Sequence, residues 1–358
     1  MKVAFIHDWL TGMRGGEKVL EELIDIFPES EIFTLLHIRG SVSKKLESKK
    51  IHTSFIQKLP LKKKFYRHYL PFFPAAIESF NLKGFDLVFS SSHCVAKGAI
   101  PYPGVPHVCY CHTPMRYAWD LFHDYFGRKK GFYRTFIDLI MKQLRLWDVA
   151  SSKRVDLFIA NSNLVKERIW RYYRREAEVV HPPVNTDFFR CKEKSREFFL
   201  MVSSHVPYKR IDIALSAFSK LKSEKLIIVG KGPLLKKHLK LAPPNVEFRM
   251  DINDDELKDL YCRAKAFIHT AKEDFGMVMA EAQSCGTPVI AFGEGGSKDI
   301  VKENTGILFK EQSPESLYNA LKSFHPDDFD PAFIRENSLR FSKKNFRVKI
   351  LNMIKEIR

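Results

Sequence analysis

Long apolar runs are missing from this chain of 358 residues. Nothing in it approaches the ~18–20 consecutive apolar residues that a membrane-crossing helix needs. Negative charge is scarce: 42 Asp and Glu stand against 59 Lys and Arg, a formal net charge of +17. Such an excess calls for anionic partners, whether phosphorylated ligands, a membrane surface or nucleic acid. No recognised nucleic-acid motif accompanies the charge, which argues against the last. Cysteine is sparse, with six in all. Cys109-Tyr110-Cys111-His112 has no second Cys/His pair spaced to complete a four-ligand zinc site, so no metal is expected. Met1–Ile6 runs straight into His7-Asp8 and reads as a first strand, so no export leader is expected. The six cysteines are therefore expected as reduced thiols in a cytoplasm. Gly-x-Gly-x-x-Gly is absent after the first strand, and no acidic residue ends the second, which excludes the usual nicotinamide dehydrogenase fingerprint.

What is present is a chain large enough for two cores, with 45% hydrophobic residues. Short apolar runs alternate with helical patterns throughout. Strands are expected at Val3–Ile6, Ile32–Leu36, Asp86–Ser90, His107–Cys111, Leu157–Ala160 and Glu178–His181. In the second half they are expected at Phe198–Val202, Leu226–Val229, Val246–Phe248, Ala266–Thr270, Pro288–Ala291 and Gly306–Phe309. This alternation means two parallel, doubly wound α/β sheets. The Pro182-Pro183 pair forbids helix and marks the hinge. It divides residues 1–181 from 182–340, and a basic helix over 341–358 ends the chain.

Positive charge gathers between Lys44 and Phe73. Lys44, Lys45, Lys49, Lys50, Lys58, Lys62, Lys63, Lys64, Arg67 and His68 alternate there with aromatic and aliphatic side chains. That mixture suits an anionic lipid interface. A solvated face over an ordinary core is the competing reading.

The most informative stretch is Glu273-Asp274-Phe275-Gly276-Met277, with Glu281 one helix length on and Cys285-Gly286-Thr287-Pro288 closing the helix. Carboxylates accept hydrogen bonds from sugar hydroxyls, and the amides at a helix start favour phosphate. Gly276 lets backbone N–H groups approach a ligand without an intervening Cβ. Lys209-Arg210 follows another strand, at the sheet edge where open α/β sheets bind ligands, and offers charge for a diphosphate. Gly230 and Gly232 form a strand-end turn, and Gly293–Gly296 forms a further one. Gly15-Gly16 joins the first strand to the first helix and permits unusual backbone angles near phosphate oxygens. His112 ends a strand before Thr113-Pro114-Met115-Arg116-Tyr117, where it can donate to a sugar.

These motifs resemble the E-x7-E signature and strand-end lysine of the retaining GT-B glycosyltransferases of family 4, over nearly the whole chain. Ser90-Ser91-Ser92-His93 and Pro74–Phe80 narrow the likeness to the WbaZ-like mannosyltransferases of surface polysaccharide synthesis. The resemblance implies two Rossmann-like domains facing a cleft, with the last helix crossing back onto the first domain. It implies a nucleotide sugar donor, GDP-mannose, a lipid-linked glycan acceptor, and a peripheral enzyme on the inner face of the cell membrane. No metal or other cofactor is required, because fixed cations serve the leaving diphosphate. By the same resemblance His112, Lys209 and Glu273 are catalytic. Arg210, Gly230, Gly232, Phe275, Gly276, Met277 and Glu281 bind donor, with Glu281 on the ribose. Gly15 and Gly16 form the phosphate or acceptor loop. The family's diphosphate arginine, five residues before the lysine, is replaced by Ser204-His205. Two other classes stay open: a nucleotide-sugar 2-epimerase of the same fold, and a non-catalytic basic protein that binds membrane or nucleic acid.

Overall fold

The computed structural model describes residues 1–126 and 131–357. The chain divides into two compact units, Met1–His181 with Arg347–Arg358, and Pro182–Phe346. Arg358, the last residue of the expected C-terminal helix, lies outside the described residues.

In the first unit the strands are β1 (Val3–His7), β2 (Ser30–Thr34), β3 (Ile51–Thr53), β4 (Leu87–Ser92), β5 (His107–Cys111), β6 (Leu157–Ala160) and β7 (Ala177–Val179). They form one sheet in the order β3-β2-β1-β4-β5-β6-β7, and the central pairings are parallel. β1, β4 and β5 are buried along their whole length, which explains the apolar run of β1, while β4 ends in three buried serines, Ser90 to Ser92. In the second unit the strands are β8 (Phe198–Val202), β9 (Leu226–Val229), β10 (Val246–Arg249), β11 (Ala264–His269), β12 (Val289–Phe292) and β13 (Gly306–Phe309). Their order is β10-β9-β8-β11-β12-β13, again parallel. Each sheet reverses its winding once, between β1 and β4 in the first and between β8 and β11 in the second. Open α/β sheets bind ligands outside the carboxyl ends of the strands at that switch point.

Several expected elements differ. β2 starts at Ser30 and stops at Thr34; Leu35 and Leu36 stay buried, but the ladder gives way to a Leu10–His37 bridge. β3, only three residues long, was not expected inside the basic stretch. The helix Pro331–Leu339 was not expected because Pro331 reads as a breaker. It is instead the first helical residue, and the Asp330 carboxylate accepts from the Ala332 N–H at 2.9 Å. The C-terminal helix runs Lys343–Glu356. Its Arg347 donates to Glu22 and, at 2.9 Å, to Asp25, both on the helix Gly15–Ile26. No helix of the described residues is long and apolar enough to cross a membrane.

One expectation about cysteine is overturned. Cys191 and Cys262 are joined in a disulfide across 71 residues, with Cα atoms 5.6 Å apart. Cys191 follows the hinge and Cys262 lies in the last turn of the helix Asp254–Arg263, a juxtaposition that no local spacing announces. The reduced-thiol argument for a cytoplasm fails for this pair. Cys285 lies beside it, all three sulfurs within 4.8 Å of one another, but two of them are spent on the covalent bond.

Candidate functional site

In the second unit, Lys209 follows β8 and Glu273 follows β11, the two strands at the switch. Their side chains meet in a salt bridge, each about one-sixth exposed. The loops carrying them are fixed by backbone contacts. The Thr270 hydroxyl donates to the Lys209 carbonyl at 2.8 Å, and the Gly296 N–H donates to the Glu273 carbonyl at 2.9 Å. His269 lies 3.6 Å from Glu273, almost fully buried, and its Nε2 has no hydrogen-bond partner. Burial, then the neighbouring Lys209, pushes this histidine down to about 3, so it is neutral at pH 7.

Gly276 has φ +92° and is the N-cap of the helix Met277–Ser284, a position from which glycine offers no capping side chain. A Cβ there would stand 2.4 Å from the Met279 methyl and in a backbone region L-residues avoid. Met277 therefore begins a helix whose leading amides point out of the turn after Glu273. Phe275 is buried edge-on against Phe341, with centroids 5.4 Å apart, so its side chain anchors the turn and only its backbone is suited to a ligand. Glu281 is buried one turn beyond Met277, and the Tyr261 hydroxyl donates to it at 3.3 Å.

Gly230 and Gly232 lie against the end of β8. A Cβ on them would stand 2.1 Å from the Ser203 carbonyl oxygen and 2.6 Å from the His205 nitrogen, so only glycine fits. The turn is zipped to His205 by its N–H to the Lys231 carbonyl at 2.9 Å. Arg210 takes a different partner. Its guanidinium donates to Asp212 at 3.0–3.3 Å on the exposed side of the helix start, not to the Lys209–Glu273 pair. Ser204-His205 supplies no hidden cation either. His205 is fully buried with Nδ1 2.8 Å from Nδ1 of His238, and burial first, then His238, lowers it to about 4.

In the first unit, His112 ends β5 beside a cluster that the sequence reading did not identify: His7 and Asp8 at the end of β1, Glu17 on the first helix, and Ser91 and His93 at the end of β4. The Ser91 hydroxyl lies 2.8 Å from His112 Nε2 and 3.1 Å from His7 Nδ1. His7 Nε2 is 3.7 Å from Glu17. Asp8 is fully buried. Its carboxylate accepts the N–H groups of His93, Cys94, Val95 and Ala96 at 2.6–3.0 Å and faces His93 Nδ1 at 3.0 Å. Burial alone would raise its pKa, but the charge and hydrogen bonds of His93 outweigh it and hold Asp8 well below the usual carboxylate range. Burial, then His93 and His7, push His112 down to about 3. Its ring is neutral, with one donor and one acceptor, which suits a sugar hydroxyl.

Gly15 and Gly16 are the first residues of the helix Gly15–Ile26, and neither has a positive φ. A Cβ on Gly16 would touch His7 and His112 at 3.5 and 3.6 Å, so the glycine leaves space beside both rings. The structure thus brings together Lys209 with Glu273, and Gly16 with His112. Arg210 stays with Asp212. The available signal for the missed cluster was position: His7-Asp8 and Ser91–His93 both stand at strand ends, on either side of the switch.

Two family models match this chain, one described as Glycosyltransferase Family 4 over residues 13–188 and one as Glycosyl transferases group 1 over residues 185–344. A D-inositol 3-phosphate glycosyltransferase of Streptomyces bingchenggensis is 30% identical over 215 residues, covering 50% of this chain and 47% of that protein. The chain spans about half the length of the curated relatives it matches, 45–55% of the first three. Among solved structures, Anabaena HepE in complex with UDP is 16% identical, with a TM-score of 0.73 over 99% of this chain and 100% of that one. The lipopolysaccharide outer core galactosyltransferase WaaB is 18% identical, with a TM-score of 0.70 over 100% of both chains. At these identities the two structures bear on the fold, which is GT-B. The first half of the chain is thus similar to the Glycosyltransferase Family 4 model and the second half to the Glycosyl transferases group 1 model, on two doubly wound sheets of the GT-B fold.

Proposed function

We propose that the protein transfers a hexose, with retention at the anomeric carbon, from a nucleotide diphosphate sugar to a lipid-linked glycan of a surface polysaccharide. The observation that carries this reading is the Lys209–Glu273 pair at the switch of the second sheet, beside the uncapped helix start at Met277. An ammonium with three donors can hold Glu273 and a phosphate oxygen together. On this reading Lys209 and the amides of Phe275, Gly276 and Met277 stabilise the departing diphosphate as the sugar becomes oxocarbenium-like. Glu273 orients the sugar hydroxyls and Glu281 holds the ribose. The acceptor hydroxyl attacks on the face the diphosphate leaves, and the diphosphate takes its proton. His112, neutral and held by Ser91, binds the transferred sugar, with His93 and its partner Asp8 beside it. These fixed cations and amides make a metal unnecessary. Ser204-His205 leaves Lys209 as the principal phosphate cation, with Arg210 as a secondary one.

Anabaena HepE is described in complex with UDP and with UDP-glucose, which supports a nucleotide diphosphate sugar as the donor class. GDP-mannose rests on the resemblance to the WbaZ-like mannosyltransferases. A lipid-linked acceptor places the enzyme peripherally on the inner face of the cell membrane. In support, the basic stretch sends Tyr66 and Phe73 into the core but leaves Leu61 70%, Phe72 55% and Phe55 41% exposed among its lysines. The test is incubation with radiolabelled GDP-mannose, with and without a lipid-linked acceptor fraction. Label passing into the lipid fraction, dependent on acceptor, is the expected result. Conversion of the sugar nucleotide without acceptor would replace transfer by epimerisation. No reaction with any sugar nucleotide would leave only a binding protein.

A further inference from the structure

The first unit carries a second concavity, of about 500 Å³, lined by residues from the opposite edge of its sheet. Lys2 precedes β1, Glu31 is near the start of β2, Lys50 precedes β3, and Lys83 and Phe85 precede β4. These are amino ends of strands, whereas His7, Ser91 and His112 stand at carboxyl ends. The lining therefore belongs to neither of the sites described above.

Its charge is unbalanced. Glu31 is the one carboxylate in the lining, against three lysines and a histidine. Lys2 and Lys50 approach it at 3.2 Å and His52 at 2.6 Å. The His52 hydrogen bond first, with the two lysines also contributing, lowers Glu31 to about 2. One carboxylate cannot neutralise this group, and Lys83 stands at the rim as a further cation. The rest of the wall is four phenylalanines, Phe33, Phe55, Phe80 and Phe85, with the small polar side chains Thr53, Ser54, Ser79 and Asn81 between them. The Phe33 ring stacks on His52 at 4.3 Å and packs edge-on to Phe80 at 5.4 Å. The Lys2 ammonium lies 4.6 Å from the Phe85 ring centre. Phe55, 41% exposed, continues from this wall into the basic stretch with its outward Leu61 and Phe72. Point-charge ammonium groups beside small polar side chains and phenylalanines match an anion joined through a short polar linker to apolar chains.

We propose that this concavity binds the phosphate headgroup of an anionic phospholipid, with the lysines on the phosphate and the first methylenes of the chains on Phe55 and Phe80. The inference rests on the peripheral-membrane reading of the neighbouring basic stretch and adds a discrete headgroup site to it. The probe is dihexanoyl phosphatidic acid, used below its micelle concentration, titrated into the full chain by calorimetry beside inorganic phosphate and vesicles of phosphatidic acid in phosphatidylcholine. Saturable binding of the short-chain lipid is expected, with at least a tenfold loss in the Lys50→Ala/Lys83→Ala variant and a nearly unchanged melting temperature, since the Lys50 side chain is 68% exposed. Phe55→Ser should weaken the short-chain lipid and leave inorganic phosphate unaffected. Equal affinity for inorganic phosphate and the short-chain lipid would overturn the proposal, because the aromatic wall would then do nothing. Wild-type affinity in the double variant would overturn it too. Vesicle binding without saturable short-chain binding removes the pocket and leaves the membrane reading standing. Saturable short-chain binding without vesicle binding supports the pocket and removes the membrane reading.

Discussion

At the switch of the first sheet stand the neutral His112 ring, held by the Ser91 hydroxyl, and a buried carboxylate held by backbone amides. At the switch of the second stand an ammonium and a carboxylate in direct contact, between glycine turns and a bare helix start. The topology is the same and the chemistry is opposite. Uncharged donors and acceptors with fixed orientation discriminate hydroxyl groups; a charged pair with close backbone amides suits a diphosphate. On the function proposed above, the nucleotide diphosphate belongs to the second unit, and the acceptor hydroxyl to the first.

The largest effect should come from the charged side. Glu273→Gln keeps the shape of the side chain but removes the charge opposite Lys209. Transfer should fall by about 10²–10³, or ~2.7–4 kcal/mol of transition-state stabilisation, by analogy with removal of one preorganised group. Turnover near that of wild type at saturating donor would contradict the assignment. On the uncharged side the leading effect should be on stability. Asp8→Asn replaces one of two acceptor oxygens by a donor facing backbone N–H groups, which should cost roughly 2–3 kcal/mol in denaturant unfolding. A shift of the midpoint too small to measure would show that the buried carboxylate organises nothing.

A smaller effect concerns pH. His112 titrates near 3 in the folded chain and near ~6.5 unfolded, so between those values the unfolded state binds more protons. Its contribution is full above pH ~6.5 and is lost as pH falls toward 3. His112→Gln should therefore lose less stability than wild type between pH 7 and 5, by about 1 kcal/mol given the partial exposure of the ring. Equal losses would mean that the ring is not held neutral. The smallest effect should be that of Arg210→Ala. Its exposed pair with Asp212 is worth no more than ~0.5 kcal/mol, and its loss of transfer should be well below that of Lys209→Ala. Should the two variants be equally crippled, Arg210 leaves Asp212 for the phosphate.

The two sites were unequally legible in the sequence for a physical reason. Glu273, Gly276, Met277 and Glu281 are contiguous, so one strand–turn–helix prints its chemistry as a motif. Lys209 belongs to the adjoining strand end and needs one further inference. The cluster around His112 is drawn from the ends of β1, β4 and β5 and from the first helix, with Asp8 and His93 separated by 85 positions. No spacing announces such a cluster; only the sheet order does. Strand–helix alternation revealed the fold class, because buried parallel strands read as apolar runs. It missed β3, which is too short and basic to stand out, and the Pro331 helix, whose first residue mimics a breaker. The Cys191–Cys262 bond escaped because covalent pairing follows three-dimensional proximity, not local pattern.

The division between the two units can be measured with one ligand and two variants. Calorimetric titration of the nucleoside diphosphate GDP should show affinity lost at least tenfold in Lys209→Ala and unchanged in His112→Gln. Wild-type affinity in Lys209→Ala, or an equal loss in His112→Gln, would contradict the assignment of the diphosphate to the second unit.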